Sequence, residues 1–263
     1  MKTTTQPRSF RIGMIVPSSN TTMETEIPAL LQSQAAHSGD RFTFHASRIR
    51  LKQVTQEALQ QMNHAAEAAV DQLGDAEVDA IMYACLVAVM CGGKACMNEM
   101  YQRLSMRARR QPQVPQVVTS AGALVEALKS LQARNISMIT PYKRALTEVV
   151  ATTLEEEGMQ VLQTHSLEVT DNVKVGRLDP KNLLSIASRM DFSTSDALII
   201  SACVQMPSLP VIEEAEQRFG LPVLSAATAT VFDLLTKLHI QPTIQQAGTL
   251  LHLPRVYPKI PQL

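Results

Sequence analysis

Short apolar runs alternate along this chain with longer stretches whose apolar residues recur every three or four positions. The first run is 11–16 (RIGMIV), and 41–47 (RFTFHAS) is an alternating one. Others run from 78 into Cys85, over 114–120, 136–140 and 161–167, from 196 into Cys203, and over 222–225. Runs of this length read as strands, and a continuous apolar run reads as a strand covered on both faces. Helical spacing fills the gaps at 23–34, 55–73, 93–109, 121–131, from Tyr142 to Glu157 where Gly158 closes it, 180–190, 209–219 and 227–238. From Pro242 onward four prolines, Pro242, Pro254, Pro258 and Pro261, predict an irregular arm.

The pattern occurs twice. VDAIMYACLV aligns with SDALIISACVQ, which sets Cys85 against Cys203. Pro17 pairs with Pro141, and VVTSAGALVEAL with PVLSAATATVFDLL, setting Ser120 against Ser225. The offset shrinks along the chain, so the loops are shorter in the second half. Strands alternating with helices give parallel sheets. The expected fold is α/β: two pseudo-symmetric lobes, each a parallel four-stranded sheet flanked by helices. Ligands of open α/β sheets bind outside the carboxyl ends of the strands. Cys85 and Cys203 should therefore face each other across a cleft between the lobes.

Composition narrows the function. The 263 residues suffice for two lobes with a sizeable core. With 24 basic and 24 acidic residues the net charge is zero, so nothing draws nucleic acid or an acidic membrane surface. The apolar runs are too short to span a bilayer, and MKTTTQPRSF lacks the apolar centre of a secretory signal. The expected setting is cytoplasmic, where four cysteines remain thiols.

A single cysteine at a strand end is most simply a small buried hydrophobe. Two of them, each after an alanine (Ala84, Ala202), each ending a strand and each ahead of a helix, suggest more. A helix N-terminus favours a thiolate. Thiols on two sides of a substrate can attack, give a proton and take one back. Cys91 and Cys96 lack further ligands at zinc spacing, and the six histidines are scattered, so no metal is expected. No phosphate-binding glycine pattern follows the first strand. The turn Pro17-Ser18-Ser19-Asn20-Thr21-Thr22 offers polar groups at a helix start, which suits an anion or simply caps the helix. Tyr142 is its counterpart in the second half, Asn172 lies in a loop, Gln205 flanks the second cysteine, and Tyr83 reads as core.

IVPSSNTTMETEIPALL, YACLVAVM, SAGALVEAL, TPYKRALTEVV, the Asp171-Asn172 pair and SACVQMPSLP together resemble the maleate cis-trans isomerases of the aspartate/glutamate racemase superfamily, over about residues 11–251. The resemblance implies conversion of maleate to fumarate with no cofactor. It makes Cys85 the nucleophile and Cys203 the proton donor. It assigns dicarboxylate contacts to Asn20, Leu86, Val87, Tyr142, Asn172, Val204 and Gln205. It also implies a homodimer, with the last helix packed back on the first lobe, so that lobe one is 1–119 plus 226–263 and lobe two 120–225. Rival readings are a two-cysteine racemase of a small amino acid or hydantoin, a decarboxylase of the arylmalonate type, which needs one catalytic cysteine, and a non-catalytic dicarboxylate-binding protein.

Overall fold

The computed structural model describes residues 7–252. Strands β1 (Ser9–Pro17), β2 (Arg41–Ile49), β3 (Ala80–Tyr83) and β4 (Gln116–Thr119) make one parallel sheet in the order β2-β1-β3-β4. Strands β5 (Asn135–Thr140), β6 (Gln160–Ser166), β7 (Ala197–Ser201) and β8 (Val223–Ser225) make a second, in the order β6-β5-β7-β8. The two orders are the same order, which is the structural form of the repeat. The repeat reaches single hydrogen bonds. Ala84 N–H donates to Ile15 O at 2.9 Å, and Ala202 N–H donates to Ile139 O at 3.0 Å. Each extends a central strand pair by one rung just before its cysteine.

The first half continues through helices α1 (Met23–Ser38), α2 (Gln56–Gly74), α3 (Leu86–Met90), α4 (Gly93–Ala108) and α5 (Ser120–Ser130). The second has α6 (Arg144–Glu156), α7 (Asn172–Val175), α8 (Lys181–Ala187), α9 (Ile212–Phe219) and α10 (Ala226–Lys237). Helix α10 leaves the second sheet but packs on α1, α5, β3 and β4. Its residues 226–235 are all buried, and Lys237 Nζ reaches across to Val117 O at 2.9 Å.

Some expectations shift. The apolar stretch around Cys85 is not one strand: β3 ends at Tyr83 and the five-residue α3 begins at Leu86. No helix follows Cys203 directly; a turn leads to a 3₁₀ segment, Leu209–Val211, and only then to α9. Asn172 begins a four-residue helix capped by Asp171 rather than lying in a loop. The helix-capping residues Thr119 and Ser225 are the structural pair, one position off the alignment of Ser120 with Ser225. The arm after Pro242 includes a 3₁₀ turn, Thr249–His252, with Leu250 and Leu251 buried. Its Pro254, Pro258 and Pro261 lie outside the described residues.

Candidate active site

Cys85 follows β3 and Cys203 follows β7, so each hangs from the carboxyl end of an inner strand of its own sheet. The two sheets present these ends to one cavity, lined by Pro17, Asn20, Leu51, Val54 and Ala84 with the cysteines and their neighbours. Leu86, Val87, Tyr142, Asn172, Val204 and Gln205 complete the lining. Every contact that the sequence nominated thus reaches the same hollow, from two lobes and five separate segments.

The cavity is small, about 20 Å³. A water molecule occupies roughly that much space, and a four-carbon diacid far more. A roomier cavity of about 530 Å³ adjoins it, with Val54 and Tyr142 in the walls of both.

Burial sets the protonation of the thiols. Cys85 is 6% exposed and Cys203 7%. Loss of solvation pushes the Cys85 thiol from an ordinary value near 9 up to about 12. It also raises Cys203, against hydrogen bonds from Tyr142 and the Gln205 and Met206 backbone that pull it down. The expected thiolate is thus not the resting form of the closed site. Desolvation outweighs the dipole of a helix only five residues long. Tyr142 is pushed well up by burial and by the neighbouring thiols, so it is a neutral phenol. Its hydroxyl donates to Ala202 O at 3.2 Å.

Asn20 supplies the most telling polar atom. Its Oδ1 accepts the Met23 N–H at 3.0 Å, doing the capping work that Thr22 does not do. Its Nδ2 is buried and has no partner. An amide donor held in a dry pocket without an acceptor is costly and calls for a ligand oxygen. Arg48, from β2, fixes the turn by donating to Ser18 O at 2.9 Å and Asn20 O at 2.8 Å.

The model of the arylmalonate decarboxylase family matches residues 12–251. The maleate isomerase of Geobacillus stearothermophilus is 45% identical over 93% of this chain and 98% of its own length. That of Pseudomonas putida is 46% identical over 92% and 97%. This chain belongs to the maleate isomerase family. Among solved structures, a maleate isomerase variant from Pseudomonas putida S16 with maleate matches with TM-score 0.91 and 42% identity, over 93% of this chain and 98% of that one. A Nocardia farcinica maleate cis-trans isomerase, a cysteine-to-serine variant with a covalently bound succinylcysteine intermediate, matches with TM-score 0.89 and 43% identity, over 93% and 98%. Arylmalonate decarboxylase, 22% identical with TM-score 0.71 over 92% and 98%, shares the fold.

Within this family member, two nominated side chains are already engaged. Gln205 Oε1 accepts the N–H groups of Thr21 at 3.0 Å and Thr22 at 3.3 Å, while Nε2 donates to Ser19 O at 3.0 Å and Asn172 O at 2.8 Å. The amide is therefore a bolt between lobes, and the Gln205 backbone is engaged as well, its N–H on Cys203 Sγ at 3.4 Å and its O on Thr22 Oγ1 at 2.8 Å. Gly176 makes room for it: a Cβ there would lie 2.5 Å from Gln205 Nε2. Asn172 Nδ2 donates to Ser19 Oγ at 2.7 Å. Tyr83 is core, as expected, with its hydroxyl on Asn63 Oδ1 at 2.7 Å.

Leu51 and Val54 escaped the sequence reading. Leu51 and Val54 are apolar residues in the polar connection between β2 and α2, and that mismatch was their available signal. Cys91 and Cys96 are half-buried free thiols, and among the described residues no group of three or more histidine, cysteine or acidic side chains could hold a metal. No described helix is long and apolar enough to cross a membrane.

Proposed function

We propose that this chain converts maleate to fumarate, with Cys85 as nucleophile and Cys203 as proton donor and acceptor. The observation that carries the reading is the pair of thiols, one from the end of each sheet, lining one cavity with the orphaned Asn20 donor. A carbon–carbon double bond cannot rotate while its π overlap persists. The Cys85 thiolate adds to one alkene carbon, forming a C–S bond. The π electrons move onto the adjacent carboxylate, and Cys203 delivers its proton to the second carbon. The former double bond is now single and turns. Cys203 takes the proton back, the C–S electron pair returns to Cys85, and the trans diacid leaves.

The cavity must open to admit substrate, and an opened, hydrated cleft is also where Cys85 can shed its proton. Closure then removes water that would divert the intermediate, with Leu86, Val87, Val204 and Met206 as an apolar rim. Asn20 Nδ2, Tyr142, Asn172 and the first-turn N–H groups of Leu86 and Val87 hold the carboxylates, with Val204 and Gln205 beside them in the lining. No step calls on a metal or cofactor. Two cysteines favour this route over arylmalonate-type decarboxylation, which uses one. The turn at Asn20 has no carboxylate aimed at an ammonium, which disfavours an amino-acid racemase.

The lobe division at 1–119 with 226–263 and 120–225, the cytoplasmic setting and a homodimer belong to the same reading. Light scattering on the purified chain should return twice its 28.9 kDa mass, and a monomer removes the dimer from it. Incubation with maleate alone should yield fumarate by proton NMR. C85A should abolish turnover, and C203S should accumulate a succinyl adduct on Cys85 visible by intact mass. No fumarate, or an adduct on Cys91 or Cys96, overturns the assignment.

A further inference from the structure

The backbone from Cys203 to Leu209 carries one of the two thiols yet has no regular structure of its own before the 3₁₀ segment. A loop of this kind has to be held by side chains from elsewhere if its cysteine is to keep its place. The internal support is a turn, with Met206 N–H on Cys203 O at 3.2 Å, Gln205 N–H on Cys203 Sγ at 3.4 Å, and Ser201 Oγ 2.9 Å from Cys203 O and 3.1 Å from Met206 O. The Gln205 side chain ties the loop to residues 19–22 and to Asn172, and the remaining support comes from Thr22 and Glu26 at the start of α1. Thr22 Oγ1 donates to Gln205 O at 2.8 Å. One helical turn later on the same face, Glu26 Oε1 accepts both the Ser208 N–H at 2.7 Å and the Leu209 N–H at 2.8 Å.

Glu26 is 7% exposed and forms no salt bridge among the described residues. A carboxylate buried without a cation is costly, and here its compensation is this pair of backbone donors. Those donors open the 3₁₀ segment, which has no side-chain cap of its own. Glu26 therefore caps, from the first turn of a helix in one half of the molecule, a loop that belongs to the other. The turn that precedes the same helix carries Asn20. One short rigid piece of chain thus sets both the orphaned donor and the thiol opposite.

We propose that Glu26 is a positioning residue for Cys203: it holds the loop from residue 203 to 209 so that the thiol meets the second carbon of the substrate. The inference rests on the reading of Cys203 as the proton donor. Glu26 does not line the cavity and takes no part in bond making. Its effect should fall on the protonation half of the reaction and spare formation of the C–S bond.

The test is a series, E26Q, E26D and E26A, run beside C203S. The amide oxygen of E26Q still accepts both N–H groups, so E26Q should keep kcat near that of the parent. E26D draws the acceptor back by one methylene and E26A removes it. Both should lower kcat per folded molecule, by about tenfold to a hundredfold for E26A, with KM changed little. Both should also accumulate the succinyl adduct on Cys85 in quenched turnover. Where E26A does not fold, E26D decides. Unchanged kcat per folded molecule in E26D and E26A overturns the proposal, as does a fall in kcat without adduct while C203S accumulates it. If C203S itself gives no adduct, the assignment of Cys203 falls first and the role of Glu26 with it.

Discussion

At the scale of single residues, environment decides what each group can do. Cys85 and Cys203 are chemically alike and similarly buried, yet their hydrogen bonds differ. Cys203 receives the Gln205 N–H at 3.4 Å and faces the Tyr142 phenol, whereas Cys85 begins a short helix. Asn20 is the residue whose chemistry is most sharply defined, since one half of its amide is used in the fold and the other half is free. N20A should cost about tenfold to a hundredfold in kcat/KM, the worth of one hydrogen bond to a charged group. N20D should cost more, because it sets a carboxylate against a dianion while still capping Met23. Steady-state kinetics check both, and an N20D enzyme as efficient as the parent would remove Asn20 from the site.

Elements place these residues through strand ends and through one bolt. Parallel strands deliver Pro17, Ala84 and the cysteines to the same edge because β1 with β3, and β5 with β7, run in register. Gln205 then ties the turn before α1 to α7 with four hydrogen bonds. Q205A strands buried backbone donors and acceptors, at about 1–3 kcal/mol for each left unsatisfied. Its Tm should fall by about 5 °C or more. G176A, which presses a methyl group on the same amide, should give a smaller fall and a lower kcat. A thermal melt of each variant is the check; an unshifted Tm for Q205A means that the bolt carries no load.

The whole molecule behaves as a clamp built by duplication. Two sheets of one topology meet at one hollow, and each contributes a cysteine to its lining. The closed form has a pH signature. The folded state holds the Cys85 proton up to about pH 12, whereas an unfolded thiol loses it near 9. Stability from this source is complete below about pH 9 and drains away as pH rises toward 12, by on the order of 4 kcal/mol in all. Chemical denaturation between these limits should show the decline, and C85A should flatten it. Equal slopes for parent and C85A would mean that the thiol titrates freely in the folded state.

How much of this was legible in advance depends on the range of the interaction. The strands, the repeat and both cysteines could be read because apolar periodicity and local similarity are properties of neighbouring residues. The break at Cys85 was not legible, since a continuous apolar run serves a buried strand and a buried helix equally well. Nor was the thiol's resting charge, because a strand end suggests an exposed thiolate and only packing shows the desolvation that opposes it. Glu26 looked like an acidic residue in a helical first turn, Gln205 like a ligand contact, and Leu51 and Val54 like parts of a connection. Their partners lie 32 to 186 residues away along the chain for the bonds that Ser19, Gln205 and Glu26 make. The sequence by itself determined two similar lobes and the thiol that each would carry. The tertiary structure alone decided which polar groups are spent on joining the lobes and which is left over for a ligand, because hydrogen-bond satisfaction in a closed interior depends on neighbours that only folding brings together.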